Sequence, residues 1–85
     1  MITINLLGGA KKAVGKSLVI LEKPTASISD ILKLLQSQAK DSRIFNSNNL
    51  LIAINGVESS VLSDNDTLVQ TGDKVTIVPV VHGGT

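Results

Sequence analysis

The residues of this 85-residue chain with the most distinctive chemistry stand together at its end, His82-Gly83-Gly84-Thr85. A Gly-Gly pair supplies no acid, base or metal ligand. It supplies access: glycine lets a backbone pass close to a partner, and the acyl carbon of Gly84 has no Cβ beside it to hinder attack. While Thr85 is attached, that carbonyl belongs to an amide and offers no free carboxylate. His82 is the only histidine, and nothing in the sequence identifies a carboxylate to orient it or a nucleophile for it to activate. It therefore reads as a solvated tail residue available for partner contact. Doubled glycines also mark ordinary turns, as Gly8-Gly9 does in this chain. The C-terminal pair takes its meaning from the element that precedes it.

Other motifs carry less. Ala10-Lys11-Lys12-Ala13-Val14-Gly15-Lys16-Ser17 fits a permissive phosphate-loop pattern with Ala in place of the first Gly. Such a loop needs a helix after it, so that helix-terminal amides meet the phosphates. Here Leu18-Val19-Ile20-Leu21 follows, which reads as a strand ended by Pro24. The segment is expected to be a basic hairpin loop with Lys11, Lys12 and Lys16 in solvent. Asn65-Asp66-Thr67 matches a glycosylation sequon but lies in turn-forming sequence. Asp64, Asp66 and Asp73 do not make an EF-hand loop, and no metal site is expected.

Composition narrows the classes further. There is no cysteine, which excludes a disulfide framework, a thiolate metal site and a cysteine nucleophile. Eight basic and seven acidic residues give a net charge of +1, which is not the balance of a nucleic-acid binder. Phe45 is the only aromatic residue, so bases would find no stacking platform and the core is expected to be aliphatic. Met1-Ile2-Thr3-Ile4 opens a strand pattern without the basic start of a signal peptide. The longest apolar runs, such as Leu50 to Ile54, are too short to cross a membrane. The expected location is cytoplasmic.

The elements that must position the tail can be read in order. Ile2, Ile4 and Leu6 alternate with Thr3 and Asn5, the period of a half-buried strand, and Ser17 to Glu22 is a second strand pairing with it. Ser27 and Asp30 resemble a capping box ahead of Ile28, Ile31, Leu32, Leu35 and Ala39, which fall at helical spacing; this predicts a helix to about Asp41. Leu50 to Ile54 predicts a strand, Asn55-Gly56 a tight turn, and Val57 to Ser60 a short return strand. Gly72-Asp73 turns the chain into a last strand, Lys74 to Val81. A single helix between strand pairs packs its apolar stripe on one sheet face, an α+β fold of four to five strands.

This layout resembles the ubiquitin-like β-grasp superfamily, over essentially the whole chain. The ending from Gly72-Asp73-Lys74-Val75 to His82-Gly83-Gly84 resembles the branch of small sulfur carriers and protein modifiers. That branch includes the small subunit of molybdopterin synthase, the thiamine-pathway sulfur carrier, the archaeal small modifiers and the ubiquitin-related modifier of tRNA thiolation. The resemblance implies a β-grasp domain over residues 1–81 and a flexible tail over 82–85. It implies that the Gly84 carboxylate attacks ATP inside an adenylating enzyme, and that the acyl group then becomes a thiocarboxylate or an isopeptide with a target lysine. The Mg-ATP belongs to that enzyme; the chain binds no cofactor and is a substrate, not an enzyme. His82 and Val81 are expected to contact the activating enzyme.

Thr85 departs from the pattern. Either a protease, expected to be a metalloprotease, removes it from a precursor, or it is an addition to the natural chain; one threonine is no recognisable tag, which favours the precursor. His82 matches the ubiquitin-related modifier, whereas Pro79 and Val80 resemble the molybdopterin branch, whose partner is a large synthase subunit. Lys11, Lys12 and Lys16 are candidate acceptors for another modifier. Strand alternation points Val75 and Ile77 inward and turns Thr76, Val78 and Val80 to the other face, where Leu51 and Ala53 are expected to complete an apolar docking patch.

Overall fold

The computed structural model describes residues 1–40, 42–45, 50–58 and 67–80. The alternating pattern at the start forms β1 (Ile2–Leu6), with Ile2, Ile4 and Leu6 fully buried on one face. β2 (Leu18–Leu21) pairs antiparallel with it, Ile4 opposite Val19. Between them lies a short helix, α1 (Gly9–Val14). After β2 come β3 (Thr25–Ser27), the main helix α2 (Ile28–Gln38) and a 3-10 turn at Ser42–Phe45. Then follow β4 (Leu50–Ile54), β5 (Val57–Glu58), β6 (Leu68–Gln70) and β7 (Lys74–Pro79).

Five strands form one mixed sheet in the order β2-β1-β7-β4-β5. The last strand is central. It runs parallel to β1, with Ile4 opposite Val75 and Leu6 opposite Ile77, and antiparallel to β4, with Ile52 opposite Ile77. A parallel neighbour demands a crossover rather than a tight turn, and the segment holding α2 provides it. This is the β-grasp arrangement, with β1 and β7 its parallel pair.

The helix follows from its sequence. The Ser27 hydroxyl accepts the Asp30 backbone N–H at 3.0 Å, a cap that stabilises by about 1 kcal/mol. Ile28, Ile31, Leu32 and Leu35 are buried, while Lys33, Gln36 and Gln38 face solvent. The helix ends at Gln38, short of the predicted Asp41, because Ala39 adopts extended backbone (φ −86°, ψ 145°).

Four features differ from the sequence reading. Gly8 to Gly15 is not a loop: Ala10 is buried and Ala13 and Val14 are partly buried, the i, i+3, i+4 stripe of a helix too short for a strong periodic signal. Gly15 closes this helix at φ 86°. Pro24 ends β2 but not strand structure, since β3 and β6 form a second, two-stranded sheet with buried Ala26 opposite Val69. The core is not purely aliphatic, because Phe45 is fully buried and is its largest side chain. The last strand stops at Pro79, which has no N–H to extend the ladder. Asp41, Asn46 to Asn49 and the residues from Ser59 to Asp66, which include the predicted turn and all of the sequon but Thr67, lie outside the described residues.

The far end of the sheet, opposite the end of β7, is tied by one polar cluster. Asn55 and Gly56 both have positive φ, 52° and 87°, as the tight hairpin turn requires. Asn55 Nδ2 donates to Asp73 Oδ1 at 2.9 Å, and Lys74 N donates to Asn55 Oδ1 at 2.9 Å. Gln70 N donates to Asp73 Oδ2 at 2.8 Å. The Gln70 N–H, and after it the Asn55 amide, hold the Asp73 carboxyl below its usual range. A depressed folded-state value adds stability that is fully present above the unfolded value and is lost as pH falls through the folded one. Asp73→Ala should therefore lower the thermal midpoint most above about pH 4, with the gap to wild type narrowing in acid; thermal melts across pH measure it.

Candidate functional site

Val81, His82, Gly83, Gly84 and Thr85 lie outside the described residues. The structure does define the root from which they continue. β7 is clamped between β1 and β4 up to the Leu50–Pro79 pair, and the Leu7 N–H donates to the Ile77 carbonyl at 3.1 Å. Helix α1 packs against this end of β7 and against the 3-10 turn. A Cβ on Gly9, its first residue, would lie 2.8 Å from Ile44 Cδ1 and 3.7 Å from Pro79 Cγ, so a side chain there would require the Ile44 methyl to shift. Gly9, expected from the sequence in a turn, begins α1 and lies beside Ile44 at the tail root.

The predicted patch residues share a face. Val75 and Ile77 are fully buried on the helix side, which sends Thr76 and Val78 to the opposite side. Leu51 lies directly opposite Val78, and Ala53 opposite Thr76. Leu51 is 40% exposed and Val80, the first residue past β7, 44%; Val78 and Ala53 are half-buried. One member was missed. Leu7, one residue beyond the Leu6–Ile77 pair, continues the alternation of β1 onto this face and is 47% exposed. The signal was present, because Leu7 follows buried Leu6 in the period-two pattern. Leu18 and Ile20 are also exposed on this face, but Thr3, Asn5 and Thr76 separate them from Leu51 and Val78.

Lys11 and Lys12 project from α1, and Lys16 follows its C-terminal glycine; all three are exposed. The phosphate-loop geometry is not formed. The helix lies inside the motif instead of after it, and Lys16-Ser17 leads into β2. Among the described residues there is no cluster of three or more metal-ligating side chains, and no helix long and apolar enough to cross a membrane. The described residues thus offer a rigid support, an apolar face beside the tail root and a lysine-bearing helix above it.

The fold is shared with solved structures of low sequence identity. Small archaeal modifier protein 1 from Methanosarcina acetivorans superposes with a TM-score of 0.76 at 21% identity, over 98% of this chain and 95% of that one. A chain of the BexX/CysO complex from Amycolatopsis orientalis gives 0.74 at 18%, over 99% and 100%. Urm1 from Trypanosoma brucei gives 0.74 at 18%, over 98% and 94%. No curated protein matches this chain at a significant level of sequence similarity. The family model for ThiS matches residues 4–84, from the second core isoleucine of β1 through the second tail glycine. On that match, and with the β-grasp fold these structures share, the chain belongs to the ThiS family.

Proposed function

We propose that this chain is a protein modifier and sulfur carrier that works through the Gly84 carboxylate. The observation that carries this reading is the reach of the family match, which runs through Gly83-Gly84 and stops one residue before Thr85. Once Thr85 is removed by a processing protease, a Gly84 carboxylate oxygen attacks the α-phosphorus of ATP. Pyrophosphate leaves and an acyl-adenylate forms. Hydrosulfide then attacks the acyl carbon, AMP departs and, with loss of the sulfur-bound proton, a thiocarboxylate results; attack by a target lysine amine, with loss of its proton, gives an isopeptide instead. The adenylating enzyme supplies Mg-ATP and stabilises the phosphate charge, so the chain is its substrate.

The docking patch serves the same reading. Leu7, Leu51, Val78 and Val80 give an adenylating enzyme an apolar surface beside the tail root, with Ala53 at its margin and His82 and Val81 as contacts leading into the channel. Leu51→Asp should raise KM for activation about tenfold or more while leaving kcat unchanged, as expected for loss of one buried interface anchor. Steady-state kinetics with the chain ending at Gly84 measure it.

Pro79 and Val80 at the end of β7 favour one second reading, the small subunit of a molybdopterin synthase. A blot against the protein in its native cells separates the two. A ladder of lysine conjugates that disappears when Gly84 is deleted supports the modifier role. Stable co-purification with a large synthase subunit and no ladder supports the second.

A further inference from the structure

Four of the described lysines gather at one end of the fold. Exposed Lys11 and Lys12 stand on α1 and exposed Lys16 just after it. Exposed Lys40 joins them, because its backbone N–H donates to the Ala13 carbonyl at 3.0 Å and fixes the end of the α2 segment against α1. The described acidic residues lie elsewhere. Glu22 follows the Leu21–Ile2 pair, and Asp73 stands beside Thr3, both at the opposite end of the sheet. Asp30 is in the first turn of α2, the end remote from Lys40, and Glu58 is on the β5 edge. The helix C-terminus accounts for basic residues at Lys11 and Lys12, whose charge complements its free carbonyls. It accounts for neither Lys16 nor Lys40.

The position of this patch gives it a use. Helix α1 packs on Pro79, and five residues lead from Pro79 to Gly84, at most about 18 Å of chain. A surface that receives Gly84 therefore lies within about 18 Å of Pro79, at the end of the fold where the four lysines stand. We propose that Lys11, Lys12, Lys16 and Lys40 form an electrostatic docking surface for an acidic rim around the tail-receiving channel of the adenylating protein. This rests on the reading of Gly84 as the activated residue. Opposite charges at the rim of an interface steer encounter and fix orientation, and they act on association more than on the chemical step. A protein partner is favoured over RNA because the patch has no aromatic side chain on which bases would stack.

The test is ATP–pyrophosphate exchange by the adenylating enzyme of the same organism, with the chain ending at Gly84 as substrate. The Lys11→Glu/Lys12→Glu/Lys16→Glu variant should raise KM about tenfold or more at low salt with kcat unchanged, and the difference should shrink as salt is added. The Lys11→Gln/Lys12→Gln/Lys16→Gln variant should show a smaller change in the same direction, and circular dichroism checks that both are folded. Lys23→Glu/Lys74→Glu, which reverses charge at the opposite end, should stay within about twofold of the parent. Equal effects at the two ends, or an unchanged KM in both α1 variants, would overturn the proposal and leave the Gly84 reading intact. So would lysine-dependent retention on immobilised RNA with no change in KM. No exchange by the parent chain would overturn the Gly84 reading and this proposal with it.

Discussion

A chain ending at Gly84 will support ATP–pyrophosphate exchange by its adenylating enzyme, whereas the same chain ending at Thr85 will give only the background of enzyme alone. The expected loss is total for a chemical and a geometric reason. With Thr85 present the Gly84 carbonyl is an amide, whose oxygen is a poor nucleophile toward phosphorus. The terminal carboxylate is then displaced by one residue, about 3.8 Å between Cα positions. Misplacing a reacting group by about 1 Å already costs on the order of 10²-fold. Thr85 also puts a β-branched side chain beside the attacking group, where Gly84 presents none. Protease treatment that releases threonine should restore exchange to the level of the chain ending at Gly84.

Phe45→Ala should be the most damaging single change in the described core. Phe45 is fully buried and is the largest of the buried side chains, and the Gln36 side-chain amide donates to its carbonyl at 3.2 Å. Truncating such a ring costs about 3–5 kcal/mol. That is a large part of the roughly 5–15 kcal/mol available to a small domain. At roughly 4–8 °C per kcal/mol, the thermal midpoint should fall by tens of degrees. The 3-10 turn that carries Phe45 also carries Ile44, which packs against Gly9 at the tail root. The variant should therefore lose tail activation along with stability, and activity should partly return on cooling. Chemical denaturation with matched activity assays at two temperatures measures both effects.

Phe45 marks the limit of what is legible in the sequence. The strand alternation of Ile2, Ile4 and Leu6, the helix stripe behind Ser27 and the Asn55-Gly56 turn each obey one local period or one backbone requirement, and all three are found in the structure. Phe45 obeys none. It follows the helix in a segment without periodicity, and its burial comes with the packing of its 3-10 turn against α1 and α2. Helix α1 was hidden for a related reason: six residues carry less than two turns of pattern, and Gly8, Gly9 and Gly15 argued for a loop. β3 and β6, three residues each, are strands because they pair with each other across the chain. On the functional side, alternation along β7 placed Val78 and Leu51 on one face correctly, and the same alternation along β1 adds Leu7. The clustering of Lys40 with Lys11, Lys12 and Lys16 required the three-dimensional contact between the α2 segment and α1.

The central claim is that Gly84 is an acyl donor activated by a partner. Intact-mass analysis tests it most directly, using the chain ending at Gly84 after incubation with ATP, the adenylating enzyme and a sulfide donor. The account predicts a species in which one oxygen of the terminal carboxylate is replaced by sulfur, located to Gly84 by fragmentation and absent for the chain ending at Thr85. An unchanged mass, with an enzyme that adenylates another carrier in the same reaction mixture, would contradict it.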